Sequence, residues 1–520
     1  MADPNALLDY CSPVNTLVIL CSRNEDPSSL VKAVRSSRFH WISTEDGTDL
    51  SLEGSSFSKI RDYVNLILIG CLPSLVKSLN SYGFLVFSTR QCDGCTCISE
   101  EALRTHIESW NTFVYITTPA PLPEPLRGSD GPETFTGITV ARRIPQIIRE
   151  TVSSIPNLPE EAKSQYESLA CAIRDDCPLE DITSPSSLLD LLFSPHVRRA
   201  VNRKLGWYSI AWWLVENYEY LLMNHIQRSL PDPTLPRDPF FYMKQKALDS
   251  AMVALPTLLS PLVRMAVESL KPSESVFHSF ILRNLWGNKA DLSMSAGKVE
   301  STQSTASDAL LVDDWKPLWT YIQSKSLHRV AIFADNCGLE LLCDLALAAL
   351  LLHVYDDLSI TYFIKSDPVF VSDVTPADIE PTMAALEKHP SEELQWVYST
   401  VKNAIQSGRM TIAPHPFLCT ASAGWEMPLS LARVLSCQDL AIAKGDANYR
   451  RLVGDLHWPY ETPHERVLDY YPCPLLLLRT LKSNVNVGID KAVQEEAAMR
   501  DKTWDCDGKF GVIQFIKPTH

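Results

Sequence analysis

Apolar and polar positions alternate with different periods in successive parts of the chain. Residues 1–117 contain apolar runs of strand length, VNTLVILCS and YVNLILIGC, and SLVKSLNSYGFLVFST predicts a helix, a glycine turn and another strand. Over residues 137–275 the apolar positions recur every three or four residues, as is typical of helices. The pattern therefore predicts a small α/β domain followed by a helical subdomain.

Two stretches interrupt this periodicity. Residues 118–136 carry four prolines at alternate positions from 119 to 125, which favours an extended, semi-rigid linker. Residues 295–312 are rich in serine, threonine and small residues and predict a surface loop. The linker separates the N-terminal domain from the rest, and we place the last domain at residues 276–520.

In that last domain, strand-length runs alternate with helical patterns. HRVAIFAD predicts a strand, GLELLCDLALAALLLHVY a helix, and LSITYFIKS the next strand. A βαβ unit in a parallel sheet places ligands at the carboxyl ends of its strands. The predicted fold class is therefore α/β.

Polar residues follow these strands. Asp335 and Asn336 end the first one, with Glu340 close behind, and Asp373 follows the second and the short apolar run after it. Two carboxylates and a carboxamide at one sheet edge make an oxygen-rich site suited to Mg²⁺ or Mn²⁺. Two simpler interpretations stay open: FADN is a turn, and Asp373 is a helix N-cap.

Two basic loops, each closing an apolar strand, are candidate anion sites. The chain has 47 Lys and Arg against 62 Asp and Glu, a net charge of −15, so a phosphate site needs local cations. Each basic residue alone is more simply a solvated surface charge. The candidates in the first loop are Lys444, Asp446, Asn448, Tyr449 and Arg450, and those in the second are Arg479, Thr480 and Lys482.

A third cluster, LWGNKADLS, adds a possible pocket. It holds Trp286, Asn288 and Asp291, and helix capping is the simpler role for the last two. CDGCTC resembles half of a zinc site, but no second Cys/His pair stands at suitable spacing, which favours an exposed loop with free thiols.

Composition argues against several classes of protein. The negative charge argues against bulk nucleic-acid binding, and no apolar stretch of about 18 residues predicts a membrane span. Fourteen cysteines without framework spacing, and no basic region before an apolar core at the N-terminus, favour a reducing, cytoplasmic location. We therefore expect a small-molecule partner, neither nucleic acid nor membrane.

Five motifs, LWGNKADLS, DNCGLEL, FVSD, KGDANYRRL and RTLKSN, resemble in this order those of the damage-control phosphatases of the DUF89 family. The similarity is greatest to the branch of acidic-residue methyltransferase 1-like proteins, with its RTxK signature, and covers roughly residues 137–520. It implies a three-layer α/β/α Rossmann-like core with a helical subdomain, and the N-terminal α/β domain is extra. It also implies a phosphatase that hydrolyses small phosphate esters, including fructose 1-phosphate, with Mn²⁺, Co²⁺, Ni²⁺ or Mg²⁺.

The resemblance also implies roles for single residues. Asp335, Asn336 and Asp373 would bind the metal, Glu340 would lie on the substrate side, and residues 446–450 with Lys482 would hold the phosphate. Asp446 either activates the attacking water or holds basic side chains in place. Lys482, with Lys444 or Arg450, would neutralise charge on the transferred phosphoryl group.

Other functions stay open at this point. The same branch suggests carboxyl methyl transfer from S-adenosylmethionine, although no Gly-rich adenosyl-binding loop follows the first strand. A phosphatase acting on an apolar diphosphate is a further alternative. In a further, non-catalytic interpretation, the N-terminal domain is an accessory unit that binds a partner or forms dimers.

Overall fold

The structure is a computed structural model, and two β-sheets organise the part of the chain that it describes. It describes residues 121–182, 187–268, 273–287 and 309–519. Nearer the N-terminus it describes residues 16–20, 40–43, 65–69, 84–89, 96–99 and 101–106 and the single residues Val76, Leu79 and Pro119. Helices and parallel strands alternate in these segments, which confirms the α/β fold class.

The N-terminal sheet is parallel throughout and has the order β2-β1-β3-β4-β5. Its strands are β1 (Thr16–Leu20), β2 (His40–Ser43), β3 (Asn65–Ile69), β4 (Leu85–Ser88) and β5 (Thr96–Cys97). The apolar runs predict β1, β3 and β4, whereas β2 and β5 lie outside those runs. Cys97 has an exposed free thiol, and the other two cysteines of CDGCTC lie outside the described residues.

The second sheet has seven strands in the order β6-β12-β11-β10-β7-β8-β9. They are β6 (Leu310–Asp313), β7 (Arg329–Phe333), β8 (Ser359–Lys365), β9 (Met410–His415), β10 (Leu440–Lys444), β11 (Leu475–Thr480) and β12 (Gly511–Ile516). Five of them, from β11 to β9, run parallel, and β12 pairs antiparallel with β11. Parallel strands buried on both faces need apolar side chains at successive positions, which is why β10 and β11 appear as unbroken apolar runs.

Side chains from alternate positions of this sheet enter two different hydrophobic cores. In β7, Ala331 and Phe333 pack into one core, whereas Val330 and Ile332 pack into the other. The first core also contains helices from residues 135–228, and the second contains helices from residues 241–285 and the helix after β7. Helices therefore cover both faces, which gives the three-layer α/β/α arrangement.

The helices vary from one turn to five. They are α1 (Phe135–Ile138), α2 (Ile144–Ser154), α3 (Glu160–Arg174), α4 (Leu188–Asn202), α5 (Trp212–Arg228), α6 (Phe241–Leu258), α7 (Ser260–Glu268), α8 (Glu274–Leu285), α9 (Trp315–Ser324), α10 (Leu339–Val354), α11 (Pro376–Glu387), α12 (Glu392–Gln406), α13 (Leu429–Ser436), α14 (Asp446–Val453), α15 (His464–Leu468) and α16 (Lys491–Arg500). No single described helix has the length and apolar composition of a membrane span; α6 and α7 reach them only together, with a 50° bend between them.

The strand order reverses at the centre of the second sheet. From β7 the chain proceeds to β8 and β9 on one side, and β10 and β11 lie on the other. In doubly wound sheets a crevice opens at such a switch point, outside the carboxyl ends of the strands. The crevice between the ends of β7 and β10 is therefore the expected place for a ligand.

The structure describes the two interrupting stretches only in part. Part of the proline-rich segment is extended but packs against the α/β/α region: Leu126 is buried, its N–H donates to the carbonyl of Asp455 (3.4 Å), and its carbonyl accepts from the N–H of Trp212 (2.7 Å). The predicted 295–312 loop lies largely outside the described residues, and its end forms the start of β6.

Candidate active site

The carboxyl ends of β7 and β10 bring a carboxylate against a glycine. Asp335 lies two residues after β7 and is only 5% exposed. Gly445 follows β10 directly with φ 86°, a conformation that favours glycine. A Cβ atom at position 445 would lie 2.0 Å from Cγ of Asp335. Only glycine therefore leaves room for the carboxylate at this position.

Asn336 links Asp335 to two neighbouring elements. Its Nδ2 donates to Oδ2 of Asp335 (2.8 Å) and to Oε1 of Glu340 (2.9 Å). Its Oδ1 accepts from the hydroxyl of Ser372 (2.5 Å). The turn considered for FADN is present, with Gly338 at φ 70° just before α10, so the turn and the polar cluster occur together.

Asp373 lies opposite Asn336 in an isolated antiparallel bridge and is 1% exposed. Its Oδ2 is 3.4 Å from Nζ of Lys365, but this buried oxygen accepts no hydrogen bond from the described residues. The N-cap of α11 is Thr375, whose backbone N–H donates to Asp378 (2.8 Å). The N-cap interpretation of Asp373 is therefore wrong, and its carboxylate keeps an unused acceptor.

Burial and like charges shift the pKa values of these carboxyl groups upward. Burial raises the pKa of Asp335 well above its usual value, and Glu340 and Asp373 raise it further, against Lys482 and Lys365. Burial also raises the pKa of Asp373 to about 6, although Lys365 opposes the shift. Burial is the main cause of both pKa shifts, and repulsion among the acids adds to it.

The donors at this edge suit a hard divalent cation. Among the described residues, no three His, Cys, Asp or Glu side chains converge closely enough to bind a metal by themselves. The available set is two carboxylates and one carboxamide, and such sites often leave the remaining positions to water and substrate phosphate. The Oδ2 of Asp373, which accepts no hydrogen bond from the described residues, and the buried carboxylate of Asp335 fit a cation. Asn336 directs its Nδ2 toward Asp335. Its side-chain amide would therefore have to flip by 180° for Oδ1 to face that cation.

On the other side of the crevice, Asp446 begins α14 and is held by Arg479. Nε of Arg479 donates to Oδ1 of Asp446 (2.8 Å), and the hydroxyl of Ser483 donates to the same oxygen (3.1 Å). Burial would raise the pKa of Asp446, but Arg479 and Arg450 lower it below its usual value. Asp446 is therefore a stable anion, and a lowered pKa makes it a weaker base.

The other guanidinium nitrogens of Arg479 are also engaged. They donate to the carbonyl of Val485 (2.5 Å), to Oδ1 of Asn486 (2.9 Å) and to the carbonyl of Ser483 (2.8 Å). The ring of Tyr449 lies 4.1 Å from the guanidinium carbon. Arg479 and Tyr449 are both predicted to bind phosphate. In the structure Arg479 instead stabilises the loop after β11, and Tyr449 packs against its guanidinium group.

Lys444 and Arg450 are placed differently from the prediction that they face a phosphate. Lys444 is 1% exposed and forms an ion pair and hydrogen bond with the buried Asp344. Arg450 pairs with Glu216 (2.6 Å) and with Asp455 (2.7 Å). Each cation is buried against a carboxylate, because a charge removed from water needs a partner. Neither side chain is open to the crevice.

Lys482 is the predicted basic residue whose ammonium has neither an ion pair nor a hydrogen bond with any residue that the structure describes. It is half-buried and acts electrostatically on Asp335. Thr480 ends β11 and is buried. Lys482 is thus the cation best placed to meet an incoming anion.

Lys365 is a site residue that the sequence reasoning missed. It ends β8, and its Nζ donates to Oδ1 of Asn448 (3.0 Å), whose Nδ2 donates to the carbonyl of Ala334 (2.9 Å). Asn448 therefore connects α14 to the acidic edge. The rule that singled out Asp335, a polar residue where a strand ends, applies equally to Lys365.

The LWGNKADLS cluster reaches the site through its glycine. Trp286 is buried, and a Cβ at Gly287 would lie 3.2 Å from Cγ of Glu340. Asn288 and Asp291 lie outside the described residues. The pocket predicted from this cluster stays a prediction.

Comparison with known sequences gives a consistent family. The damage-control phosphatase ARMT1-like domain matches residues 139–497. Damage-control phosphatase ARMT1 of Danio rerio is 33% identical over 347 residues, which span 60% of this chain and 75% of the relative. The Bos taurus protein of the same name is 31% identical, across 74% of this chain and 97% of its own length.

Other relatives extend the comparison. The Homo sapiens damage-control phosphatase ARMT1 is 26% identical, and 77% of this chain covers its whole length, so the remainder has no counterpart there. Among solved structures, a DUF89 family protein from Pyrococcus horikoshii aligns with 73% of this chain and 96% of its own, with 14% identity and a TM-score of 0.38. The matched domain spans more than half of the residues, and this chain belongs to the damage-control phosphatase ARMT1-like family.

Proposed function

We propose that this chain is a divalent-metal-dependent phosphatase that hydrolyses a small phosphate ester. The metal would be Mn²⁺, Co²⁺, Ni²⁺ or Mg²⁺, and the substrate class a sugar phosphate such as fructose 1-phosphate. Family membership supports phosphate-ester hydrolysis, and the motif resemblance supports the metals and the sugar. The carrying observation is the buried carboxylate pair Asp335 and Asp373, with an unused acceptor on the second.

The acidic edge would hold the metal through Asp335, Asp373 and the amide of Asn336. When bound there, a divalent cation would polarise a phosphate oxygen and would lower the pKa of a water molecule. Ser372 and Lys365 orient these ligands, the first through Asn336 and the second through Asp373. Burial keeps bulk water away, which strengthens each electrostatic contact.

The phosphate would lie between this edge and Lys482. Its ammonium is available to neutralise charge on the phosphoryl oxygens as the bond to the leaving group breaks. The first turn of α14, directly after Gly445, adds backbone N–H groups that have no partner within the helix. We assign no phosphate contact to Lys444 or Arg450, because buried carboxylates already pair with them.

Asp446 fits a supporting role better than that of a general base. Three donors converge on its Oδ1: Nε of Arg479, the hydroxyl of Ser483 and the backbone N–H of Lys482 (3.3 Å). Through the last of these contacts Asp446 positions the backbone that carries the Lys482 ammonium. It thus connects α14 to the loop after β11.

A metabolite screen tests the proposal. Purified protein is assayed for phosphate release from a panel of sugar phosphates and other esters, with each of the four metals and with a chelator. We expect turnover that needs metal and is lost in Asp335→Ala, whereas the exposed-site variant Lys316→Ala keeps it. Full metal-dependent turnover by Asp335→Ala would show that the site is misplaced, and turnover in chelator would exclude the metal.

A further inference from the structure

The loop between β8 and α11 contains two adjacent residues with unusual backbone conformations. Phe370 has φ 51° and Val371 has φ 66°, although neither is glycine. The N–H of Ser372 donates to the carbonyl of Phe370 (2.7 Å), which closes a three-residue turn with Val371 at its centre. Such a γ-turn with a positive central φ is rare and strained, most of all for a β-branched residue. The surrounding contacts must hold it in place.

Helix α5 supplies those contacts from one face. The ring of Phe370 stacks on Trp213 (5.5 Å between centroids) and lies 5.3 Å from the ring of Tyr220. One turn further, Nδ2 of Asn224 donates to the carbonyl of Pro368 (2.7 Å). Arg228 ends the row and pairs with Asp367 in the same loop. Four side chains on one face of α5 thus contact the same loop.

The other end of the loop enters the candidate active site. The carbonyl of Ser372 accepts from the N–H of Cys337 (2.7 Å), and its hydroxyl donates to Asn336. The next residue is Asp373, whose backbone bridges to that of Asn336. Movement of the γ-turn would therefore displace two of the three candidate metal ligands.

We propose that Phe370 and Val371 are positioning residues: the rings of Trp213 and Tyr220 hold Phe370 and so keep the strained γ-turn in the conformation that places Ser372 and Asp373 against Asn336. For the metal itself this inference rests on the proposed function. The loop has two states, a strained one that assembles the site and a relaxed one that does not. In the wild type the ring contacts outweigh the strain, so the assembled state dominates.

A double-mutant cycle distinguishes this positioning role from an ordinary contribution of packing to stability. Phe370→Leu removes both ring contacts and populates the relaxed loop, so the apparent affinity for Mn²⁺ falls with the assembled fraction, by about tenfold. Val371→Gly removes the strain, because glycine adopts positive φ readily, and leaves Mn²⁺ affinity near wild type. In the double variant the assembled loop no longer needs the rings, so most of the affinity returns.

Mn²⁺ alone is titrated into each full-length variant by calorimetry. Phe277→Leu is the matched control, because the ring of Phe277 lies at the same centroid distance of 5.5 Å from Trp319, tilted by 50° and away from the loop. Its loss should lower Tm without changing Mn²⁺ affinity. Recovery in the double variant supports the inference. Affinity in the double variant equal to or below that of Phe370→Leu, or no loss in Phe370→Leu, would overturn it.

Hydrogen exchange decides the inference independently of any metal. The N–H groups of Ser372 and Cys337 both donate to this loop, so we expect faster exchange in Phe370→Leu and wild-type rates in the double variant. If the wild type bound no Mn²⁺ while exchange followed this order, the metal in the proposed function would fail and the positioning role would stand. Equal exchange in all four proteins would overturn the positioning role.

Discussion

Buried charge is balanced differently on the two sides of the β7–β10 switch point. In the acidic half, formed by Asp335, Asn336, Glu340 and Asp373, burial and repulsion raise carboxyl pKa values, and one carboxylate oxygen accepts no hydrogen bond within the described chain. In the basic half, formed by Lys444, Asp446, Arg450 and Arg479, every cation has a carboxylate partner.

The difference separates residues that serve stability from residues that serve chemistry. A buried ion pair satisfies itself and needs nothing from a ligand, although breaking it is costly. A buried group of acids with insufficient counter-charge lowers stability until a cation binds, which is typical of functional sites. The two halves should therefore respond in opposite ways to the same substitution.

Replacing an acid by its amide gives the largest contrast. Asp335→Asn removes a proposed metal ligand, so the proposed metal-dependent turnover of fructose 1-phosphate should fall about a thousandfold. The same change relieves repulsion with Glu340 and Asp373, so the metal-free protein at pH 8 should melt about 2 °C higher. Enzyme assays and calorimetric melting measure the two effects.

Asp446→Asn in the basic half is the matched control. It weakens the pair with Arg479, so Tm should fall. Because the lowered pKa of Asp446 reflects net stabilisation of its anion, neutralising it is unfavourable in the fold. Equal shifts of Tm in Asp335→Asn and Asp446→Asn would contradict the distinction between the halves.

Breaking the Lys444 pair should affect folding rather than catalysis. Lys444→Met leaves Asp344 buried without its cation and should lower the free energy of unfolding by about 3–5 kcal/mol. Adding Asp344→Asn removes the orphaned charge and keeps an acceptor for the hydroxyl of Tyr362, so part of the loss should return. Urea unfolding of both variants measures this, and a stable Lys444→Met protein with poor turnover would reassign Lys444 to the phosphate.

Lys482 is the predicted cation that forms no ion pair with the basic half, and replacing it tests its role in the site. Lys482→Met should lower kcat/KM about a hundredfold, because it removes the charge that we propose meets the phosphoryl oxygens, while Tm stays close to wild type. Lys316→Met, at an exposed helix position, is the control and should keep both values. Unchanged kcat/KM in Lys482→Met would remove this residue from the site.

Sequence patterns identify the strands and the acidic half for physical reasons. Strands buried on both faces must be apolar, and a polar residue where such a strand ends is conspicuous, as with Asp335. The partners of the basic half leave no such signal. Arg450 meets Glu216, 234 positions away, and Lys444 meets Asp344, 100 positions away. Their motif positions therefore suggest phosphate contacts that their side chains do not have.

Local ambiguity accounts for other differences. Asp373 and Thr375 are both good N-caps, and only the fold shows that Thr375 has that place. Lys365 ends β8 as Lys444 ends β10, but no motif in the sequence singles it out. The strained turn at Val371 leaves no sequence signal at all, because valine is ordinarily a residue of extended strands.

The smallest predicted effect is a difference in pH dependence between the halves. The pKa of Asp373 is raised to about 6, so the folded metal-free protein keeps a proton that the unfolded chain loses near pH 4. Its contribution to stability is therefore present below pH 4 and is lost as the pH rises through 6. The proposed Mn²⁺ would have to displace that proton, so its affinity should fall up to tenfold per pH unit below pH 6.

The lowered pKa of Asp446 works in the opposite sense. Its stabilising contribution is present above the usual aspartate pKa and is lost only as the pH falls through the lower folded value. Melting temperatures of metal-free wild type and Asp373→Asn should therefore agree near pH 4 and separate toward pH 7, with the variant more stable. Asp446→Asn should have a lower melting temperature than wild type throughout pH 5–7. If the difference in Tm between wild type and Asp373→Asn stayed constant from pH 4 to 7, the acidic half would not carry the unbalanced charge on which its proposed cation binding depends.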